Sequence, residues 1–191
     1  MQTSDTGINK TVSDIGSLTL GNGTGSASNY TLTGGDHIIG VNPRATVASG
    51  SRFYDGTTVV NGGAFSTFTN TVGSDAVTVS GIGSVGSAGV GSKSVAIGSL
   101  SSGHPNYILN GASLTITKKP LNLFGSRVPE DDSFSVEVLA SELSMGTVPG
   151  ETLALSGIGT IAEALPGTIQ SISLGTLTFS DDTGSASNYT S

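Results

Sequence analysis

The chain lacks cysteine and tryptophan and carries few charged side chains. Among its 191 residues there is no Cys and no Trp, aromatic residues make up 5%, and charged residues make up 11%. The absence of cysteine excludes disulfide bonds and thiolate-bound zinc or iron–sulfur centres. The low charge content is not that of a charged, disordered tail. No apolar run approaches the ~20 residues of a membrane-spanning helix, so we expect no membrane insertion.

Basic residues are also scarce relative to acidic ones. Seven Lys and Arg stand against 14 Asp and Glu, which gives a formal net charge of −7. An acidic surface repels phosphate groups. We therefore predict that nucleic acid is not a partner.

Glycine is abundant, with 29 residues, well above the usual share of roughly 7%. Val, Ile and Leu recur between Ser, Thr and Gly along most of the chain. Short runs of such residues, separated by glycine clusters, are typical of strands joined by tight turns. This composition predicts an all-β fold.

The sequence repeats at long intervals. The segment Thr24–Thr31 (TGSASNYT) recurs as Thr183–Thr190, and Asn106-Tyr107 lies between the two copies. The steps between these Asn-Tyr pairs are 77 and 82 residues. We predict tandem β-sandwich-like modules of about this length in an elongated array. A β-solenoid is the alternative, although its coils of roughly 20–30 residues match the period poorly.

The repeat predicts three divisions of the chain. Residues 1–43 would be the C-terminal part of a first repeat, residues 44–120 a complete repeat, and residues 121–191 a third repeat lacking its last strand. Pro43 and Pro120, 77 residues apart, would mark the two junctions. A boundary in mid-repeat, near Ser80 and Ser156, is the alternative. We expect neighbouring repeats to pack together, and an incomplete last repeat to self-associate through strand exchange.

Two segments show contrasting periodicity. Ala112–Thr117 alternates apolar and hydroxyl residues, which predicts a strand with Leu114 and Ile116 on its buried face. Ser133–Met145 instead has apolar residues at helical spacing. A short helix and an extended structure are both open for that segment.

Three motifs resemble a known family. They are Tyr54-Asp55-Gly56-Thr57-Thr58, Asn106-Tyr107, and the closing strand Leu114–Pro120. Together they resemble the YDG and mostly-beta, glycine-rich (MBG) repeats of large bacterial surface adhesins of the filamentous-haemagglutinin type. The repeat motif residues would be Tyr54, Asp55, Gly56, Asn106, Tyr107 and Pro120.

The resemblance implies a function for the chain. It implies non-catalytic stalk or spacer repeats of a secreted adhesin, which hold a binding head away from the bacterial cell surface and serve adhesion and biofilm formation. The location would be extracellular, and the host or matrix ligand is not specified. The resemblance implies no catalytic residues and no cofactor.

The residues themselves offer little chemistry. No nucleophile motif or phosphate-binding loop is present in the required context, so we predict no enzyme activity and no cofactor. Asp131, Asp132, Asp181 and Asp182 are weak calcium candidates, because calcium prefers clustered oxygen ligands. Their spacing matches no calcium-binding loop, so solvated turn acids are the alternative.

A carbohydrate-binding β-module is the alternative function. Such modules usually present planar aromatic side chains, and this chain has few. Its one aromatic cluster, Phe53, Tyr54, Phe65 and Phe68, is predicted to fill a core.

Overall fold

The computed structural model describes residues 7–11, 15–32, 38–126, 136–163 and 169–191. In these residues the chain is all-β, with single 3₁₀ turns between some strands and no α-helix. The predicted fold class is confirmed. Nor does any helix in these ranges have the length and apolar character needed to cross a membrane. The strands are, in chain order, β1 (Gly7–Thr11), β2 (Ile38–Val41), β3 (Arg44–Phe53), β4 (Val59–Asn61), β5 (Phe65–Phe68), β6 (Val79–Ser80), β7 (Ile82–Val85), β8 (Gly91–Ala96), β9 (Ser101–Ser102), β10 (Tyr107–Thr117), β11 (Lys119–Pro120), β12 (Leu123–Gly125), β13 (Glu137–Leu139), β14 (Leu143–Met145), β15 (Leu153–Ser156), β16 (Ile158–Thr160), β17 (Thr178–Asp181) and β18 (Tyr189–Thr190).

Six strands form the largest sheet, in the order β4-β7-β8-β10-β3-β5. Its central strand, β10, runs parallel to β3 and antiparallel to β8. Leu114 and Ile116 on β10 are each 1% exposed, while Ser113 and Thr115 are not buried. The predicted alternation of this strand is therefore confirmed. The antiparallel pairs in the sheet also differ from the parallel coils of a β-solenoid.

The core packs against one face of this sheet. Ala48 and Val60 are fully buried, and Phe65 and Tyr54 are 7% and 5% exposed. Phe53, however, is 62% exposed, so its predicted place in the core is wrong. It is the last residue of β3, where alternation turns its side chain away from the face that Tyr54 joins.

The remaining strands form two-stranded sheets, and several repeat a pairing of the large sheet. β12 pairs with β14 as β3 pairs with β5, and β13 pairs with β16 as β4 pairs with β7. β15 pairs with β17 as β6 pairs with β9. The parallel pair β11–β18 corresponds to the start of the parallel pair β3–β10.

This last pair corrects the alignment of the two prolines. Pro120 lies opposite Thr190, as Ala45 lies opposite Ile108. Pro120 therefore corresponds to Ala45 and not to Pro43. Equivalent positions in the two repeats are defined by the pairing of their strands and not by the presence of a proline. The predicted boundaries after residues 43 and 120, and the elongated array, remain predictions.

Two glycine turns repeat in the same way. Gly81 and Gly157 have φ angles of +92° and +97°. A Cβ on either residue would overlap a backbone carbonyl oxygen, that of Ser99 or of Thr176. Both the left-handed conformation and the close approach require glycine at these positions.

The segment with helical spacing is extended in its described part. β13 and β14 flank a 3₁₀ turn at Ala140–Glu142, and residues 133–135 lie outside the described ranges. Val138 is buried and lies opposite Gly159 of β16. The short helix is therefore not formed over residues 137–145, because pairing with β16 overrides the local spacing.

Candidate functional site

The Tyr-Asp-Gly motif forms a tight turn after β3. The Asp55 carboxylate accepts hydrogen bonds from the amide and hydroxyl of Thr57, at 2.9 and 3.0 Å, and forms an ion pair with Arg52 at 3.0 Å. The Arg52 guanidinium also donates to the carbonyl oxygens of Thr57 and Val59, each at 2.6 Å. Gly56 has a φ angle of +74°. The side chains of Arg52, Asp55 and Thr57 are therefore held by local contacts.

The turn directs Tyr54 towards a residue far along the chain. The Tyr54 hydroxyl donates a hydrogen bond to the Glu151 carboxylate, and the Tyr189 hydroxyl donates to the other oxygen of that carboxylate at 2.6 Å. The two tyrosine rings pack edge to face, with centroids 5.5 Å apart and an interplanar angle of 79°. We call Tyr54, Glu151 and Tyr189 the tyrosine–carboxylate cluster.

The surroundings of this cluster are closely packed. The Val148 amide donates to the Tyr189 hydroxyl at 3.1 Å, and Val148 is itself buried. A Cβ on Gly56 would lie 3.1 Å from a Val148 methyl group. The absence of a side chain at Gly56 therefore allows the turn to approach Val148 closely.

Burial and hydrogen bonding change the acidity of the tyrosines. Burial, followed by the hydrogen bond and charge of Glu151, raises the pKa of Tyr54 from 10.0 to about 12. Burial and the hydrogen bond to Glu151 also raise the pKa of Tyr189. Both shifts favour the neutral phenol, which is the form that donates to a carboxylate.

At a second site, too, a tyrosine hydroxyl donates to a carboxylate and accepts from a valine amide. The Tyr107 hydroxyl donates to the Asp75 carboxylate at 2.6 Å and accepts from the Val72 amide at 2.8 Å. The hydrogen bond to Asp75, with burial as a further cause, raises the pKa of Tyr107. The ring that packs edge to face on Tyr107 is His104, at 5.1 Å. We call Tyr107 and Asp75 the tyrosine–aspartate pair.

The sequence analysis missed both carboxylates, although the repeat carries a signal for them. Val72 and Asp75 are three residues apart, and Val148 and Glu151 have the same spacing 76 residues later. In both segments the acidic residue's amide donates to the valine carbonyl at 3.1 Å. A comparison of the two repeats at this spacing would have identified a shared acidic position.

The other motif residues lie at the ends of parallel strand pairs. The Asn106 carbonyl accepts from the Arg44 amide at 2.8 Å, where β3 and β10 begin. Pro120 lies in β11, opposite Thr190. Asn188 corresponds to Asn106, and its side-chain oxygen accepts from the Val90 amide at 3.0 Å. This contact adds a second connection near the tyrosine–carboxylate cluster.

Two of the calcium candidates, Asp181 and Asp182, lie among the described residues. Asp181 accepts a hydrogen bond from the Ala186 amide and Asp182 one from the Thr152 hydroxyl, each at 2.7 Å. Asn22 makes the same contact with the Ala27 amide, also at 2.7 Å. Because a neutral amide serves at the corresponding position, the Asp181 contact is that of a turn cap.

Asp131 and Asp132 lie outside the described residues, so calcium binding there stays a prediction. Within the described ranges no three His, Asp or Glu side chains are grouped so that they could hold a metal ion.

Comparison with known proteins gives one match. The family model of the YDG domain matches residues 41–116. This stretch is about two-fifths of the chain and contains the Tyr-Asp-Gly turn and all but the last residue of the six-stranded sheet. No curated protein and no solved structure matches significantly.

This match corrects the predicted identity. It supports a YDG domain, and it contradicts the identification as an MBG adhesin repeat. The predicted adhesin stalk, with its secreted and biofilm roles, depended on that identification, so the same match shows this prediction to be wrong. The alternative prediction of a carbohydrate-binding module is wrong with it. YDG domains of the SRA type bind DNA, so the match also contradicts the exclusion of nucleic acid as a partner, which rested on net charge alone.

Proposed function

We propose that this chain is a non-catalytic module in which the tyrosine–carboxylate cluster is a structural joint. The observation that carries the proposal is the contact of Tyr54 and Tyr189 with one carboxylate, across 97 and 38 residues of sequence. Tyr54 follows β3, whereas Glu151 and Tyr189 belong to the part of the chain that repeats its pairings. The joint thus connects the two corresponding parts.

The contacts of the cluster support a structural role. Each oxygen of the Glu151 carboxylate accepts a hydrogen bond from a tyrosine hydroxyl. The Tyr189 hydroxyl also accepts a hydrogen bond from the Val148 amide. Tyr54 and Tyr189 are 5% and 1% exposed. A general base must reach the proton that it removes. A carboxylate engaged by two neutral phenols is better suited to fixing their positions.

A double-mutant cycle tests the joint. We compare Tyr54→Phe, Glu151→Gln and the double variant by urea denaturation, with an expected coupling of ~0.5–3 kcal/mol for residues in direct contact. Tyr54→Phe with Asp75→Asn is the matched control, because Asp75 binds Tyr107 and not Tyr54. In this control pair the two changes in the free energy of unfolding should be additive. Additive effects in the Tyr54–Glu151 cycle would contradict the proposed joint.

Nucleic-acid binding is a second candidate function, favoured by the YDG match. DNA containing methylcytosine is the ligand that SRA-type YDG domains suggest. Two observations weigh against it. The net charge is −7, and Arg52, next to the motif, is committed to Asp55 and to backbone oxygens.

Fluorescence anisotropy with methylated and unmethylated duplexes distinguishes the two candidates. Saturable binding that weakens as salt rises, as phosphate contacts require, would favour nucleic-acid binding. Absence of binding at low salt would favour the structural module.

A further inference from the structure

Three asparagines of the chain are each followed by glycine: Asn22, Asn61 and Asn110. A glycine in this position has no Cβ to shield its backbone nitrogen, so this nitrogen can attack the side-chain amide of the asparagine before it. All three asparagines are exposed. Exposure alone therefore does not distinguish them, and the backbone around each pair decides whether the attack can occur.

Asn61 lies at the end of β4 in an extended conformation. Its φ and ψ angles are −83° and 148°, and ring closure onto its side chain requires ψ to leave this extended region. The Gly62 amide donates to the Gly81 carbonyl at 3.0 Å. A Cβ on Gly62 would overlap the Val79 carbonyl oxygen, so neighbouring backbone packs directly against this residue. The nitrogen that would attack Asn61 is therefore held in place.

Asn110 lies inside β10, the central strand of the large sheet. The pairing of β10 with β3 continues on both sides of it, at Leu109 and at Ala112. A rotation at Asn110 would therefore interrupt a parallel strand pair in the middle of the sheet. A Cβ on Gly111 would lie 3.7 Å from each methyl group of Val47 on the adjacent strand. The sheet thus protects Asn110 from attack as well.

Asn22 has a different backbone environment. It lies outside the strands, and Gly23 begins a bend. A Cβ on Gly23 would meet no atom of the described residues within 4 Å, so this peptide can turn without displacing a described neighbour. The Ala27 amide donates to the Asn22 side-chain oxygen at 2.7 Å. This bond places a donor at the oxygen that gains negative charge when the side-chain amide is attacked.

We propose that Asn22 is a site of spontaneous deamidation, selected among the three Asn-Gly pairs by its backbone environment. The Gly23 backbone nitrogen forms a bond to Cγ of Asn22, and the bond from Cγ to Nδ2 breaks. The proton of the Gly23 amide leaves with Nδ2 as ammonia, and a five-membered succinimide remains. Water then opens this ring at either carbonyl and gives aspartate or isoaspartate. None of these atoms belongs to the proposed joint.

The corresponding turn of the later repeat shows what the aspartate product does. Asp181 occupies the place of Asn22 and accepts from the Ala186 amide at 2.7 Å, the same length as the bond from Ala27. Aspartate therefore preserves the contact with the 3₁₀ turn Ala27–Asn29. Isoaspartate carries the main chain through its former side chain and leaves a shorter carboxylate arm. Deamidation thus adds a negative charge and, in its isoaspartate form, releases this turn.

Peptide mapping of the full chain compares the three pairs within one protein. Trypsin, which cuts after lysine and arginine, places them in separate peptides, residues 11–44, 53–93 and 94–118. After incubation at mildly alkaline pH, mass spectrometry measures the conversion of amide to carboxyl in each peptide, and fragment spectra assign it to a residue. We expect conversion at Asn22 to be at least tenfold faster than at Asn61 or Asn110.

The same incubation in guanidinium chloride tests whether the fold selects the site. Denaturation should remove the difference, because all three pairs then have a mobile backbone. Equal rates in the folded chain would overturn the proposal, as would the same ratio of rates in denaturant. Faster conversion at another asparagine of residues 11–44 would overturn it too.

A pair of glycine variants tests the attacking nitrogen. Gly23→Ala adds a methyl group next to that nitrogen and should slow the conversion at Asn22 at least tenfold. Gly25→Ala is the matched control, because its Cβ also meets no described atom within 4 Å and Gly25 does not follow an asparagine. This control should leave the rate unchanged. Circular dichroism checks that both variants fold. Equal rates for the two variants would overturn the proposal.

Discussion

Residues 44–117 and the described part of residues 119–191 contain corresponding strand pairs. Six strands of the first stretch form one sheet, whereas the described strands of the second form two-stranded sheets. In the first stretch β10 makes the connection. This strand of 11 residues pairs with β3 along one edge and with β8 along the other. A single long central strand therefore joins the shorter strands of residues 44–117 into one sheet.

The two tyrosine sites differ as well. In the tyrosine–carboxylate cluster Glu151 is bound by two tyrosines, and the Val148–Tyr189 bond is buried. In the tyrosine–aspartate pair the corresponding bonds are partly buried, and the described contacts of Asp75 include one tyrosine, Tyr107. At Glu151 the Tyr-Asp-Gly turn thus makes this local arrangement a connection across 97 residues of sequence.

The largest expected effect is on the central strand. Leu114→Ala should lower the free energy of unfolding by ~2–5 kcal/mol, because it removes a buried aliphatic side chain and leaves a cavity. Phe124→Ala, at an exposed position of β12, should change it by less than about 1 kcal/mol. Urea denaturation measures both. Equal losses would show that β10 does not have the special role that the comparison assigns to it.

A smaller effect is expected at the tyrosine hydroxyls. Tyr189→Phe leaves the buried Val148 amide without its acceptor and should cost ~1–3 kcal/mol. Tyr107→Phe should cost less, because the Val72 amide is only partly buried. Tyr30→Phe is the control, since Tyr30 is 71% exposed. A larger loss for Tyr107→Phe than for Tyr189→Phe would reverse the proposed order of the two sites.

The smallest effect is a pH dependence at alkaline pH. The pKa of Tyr54 rises from 10.0 to about 12 on folding, so the folded chain keeps a proton that the unfolded chain releases. This contribution to stability is complete below pH ~10 and is lost as the pH rises towards ~12. Tyr54→Phe should therefore reduce the loss of stability between about pH 10 and about pH 12.

Denaturation at a series of pH values measures this slope. Part of the slope should remain in the variant, because the pKa values of Tyr107 and Tyr189 are also raised. Identical slopes for the two proteins would contradict the assignment to Tyr54.

Several features were predictable because they depend on neighbouring residues. Alternation of apolar and hydroxyl residues in Ala112–Thr117 identified the strand and its buried face. Asp55-Gly56 identified a turn, since glycine permits the positive φ angle found there. The repeat spacing related Asn106-Tyr107 to Asn188-Tyr189. The predicted enzyme inactivity, extracellular location and module boundaries stay predictions.

The sequence by itself determined the strand Ala112–Thr117 and the Asp55-Gly56 turn, because each depends on side-chain alternation or backbone freedom over a few residues. It also determined the period, because the repeated motifs are visible in it. Tertiary structure decided which of two adjacent aromatics is buried: Tyr54 packs on Tyr189, while Phe53 points outward. It also decided the partner of Tyr54, a carboxylate 97 residues away, and placed Pro120 opposite Thr190. These outcomes depend on the register between distant strands, which no local pattern specifies.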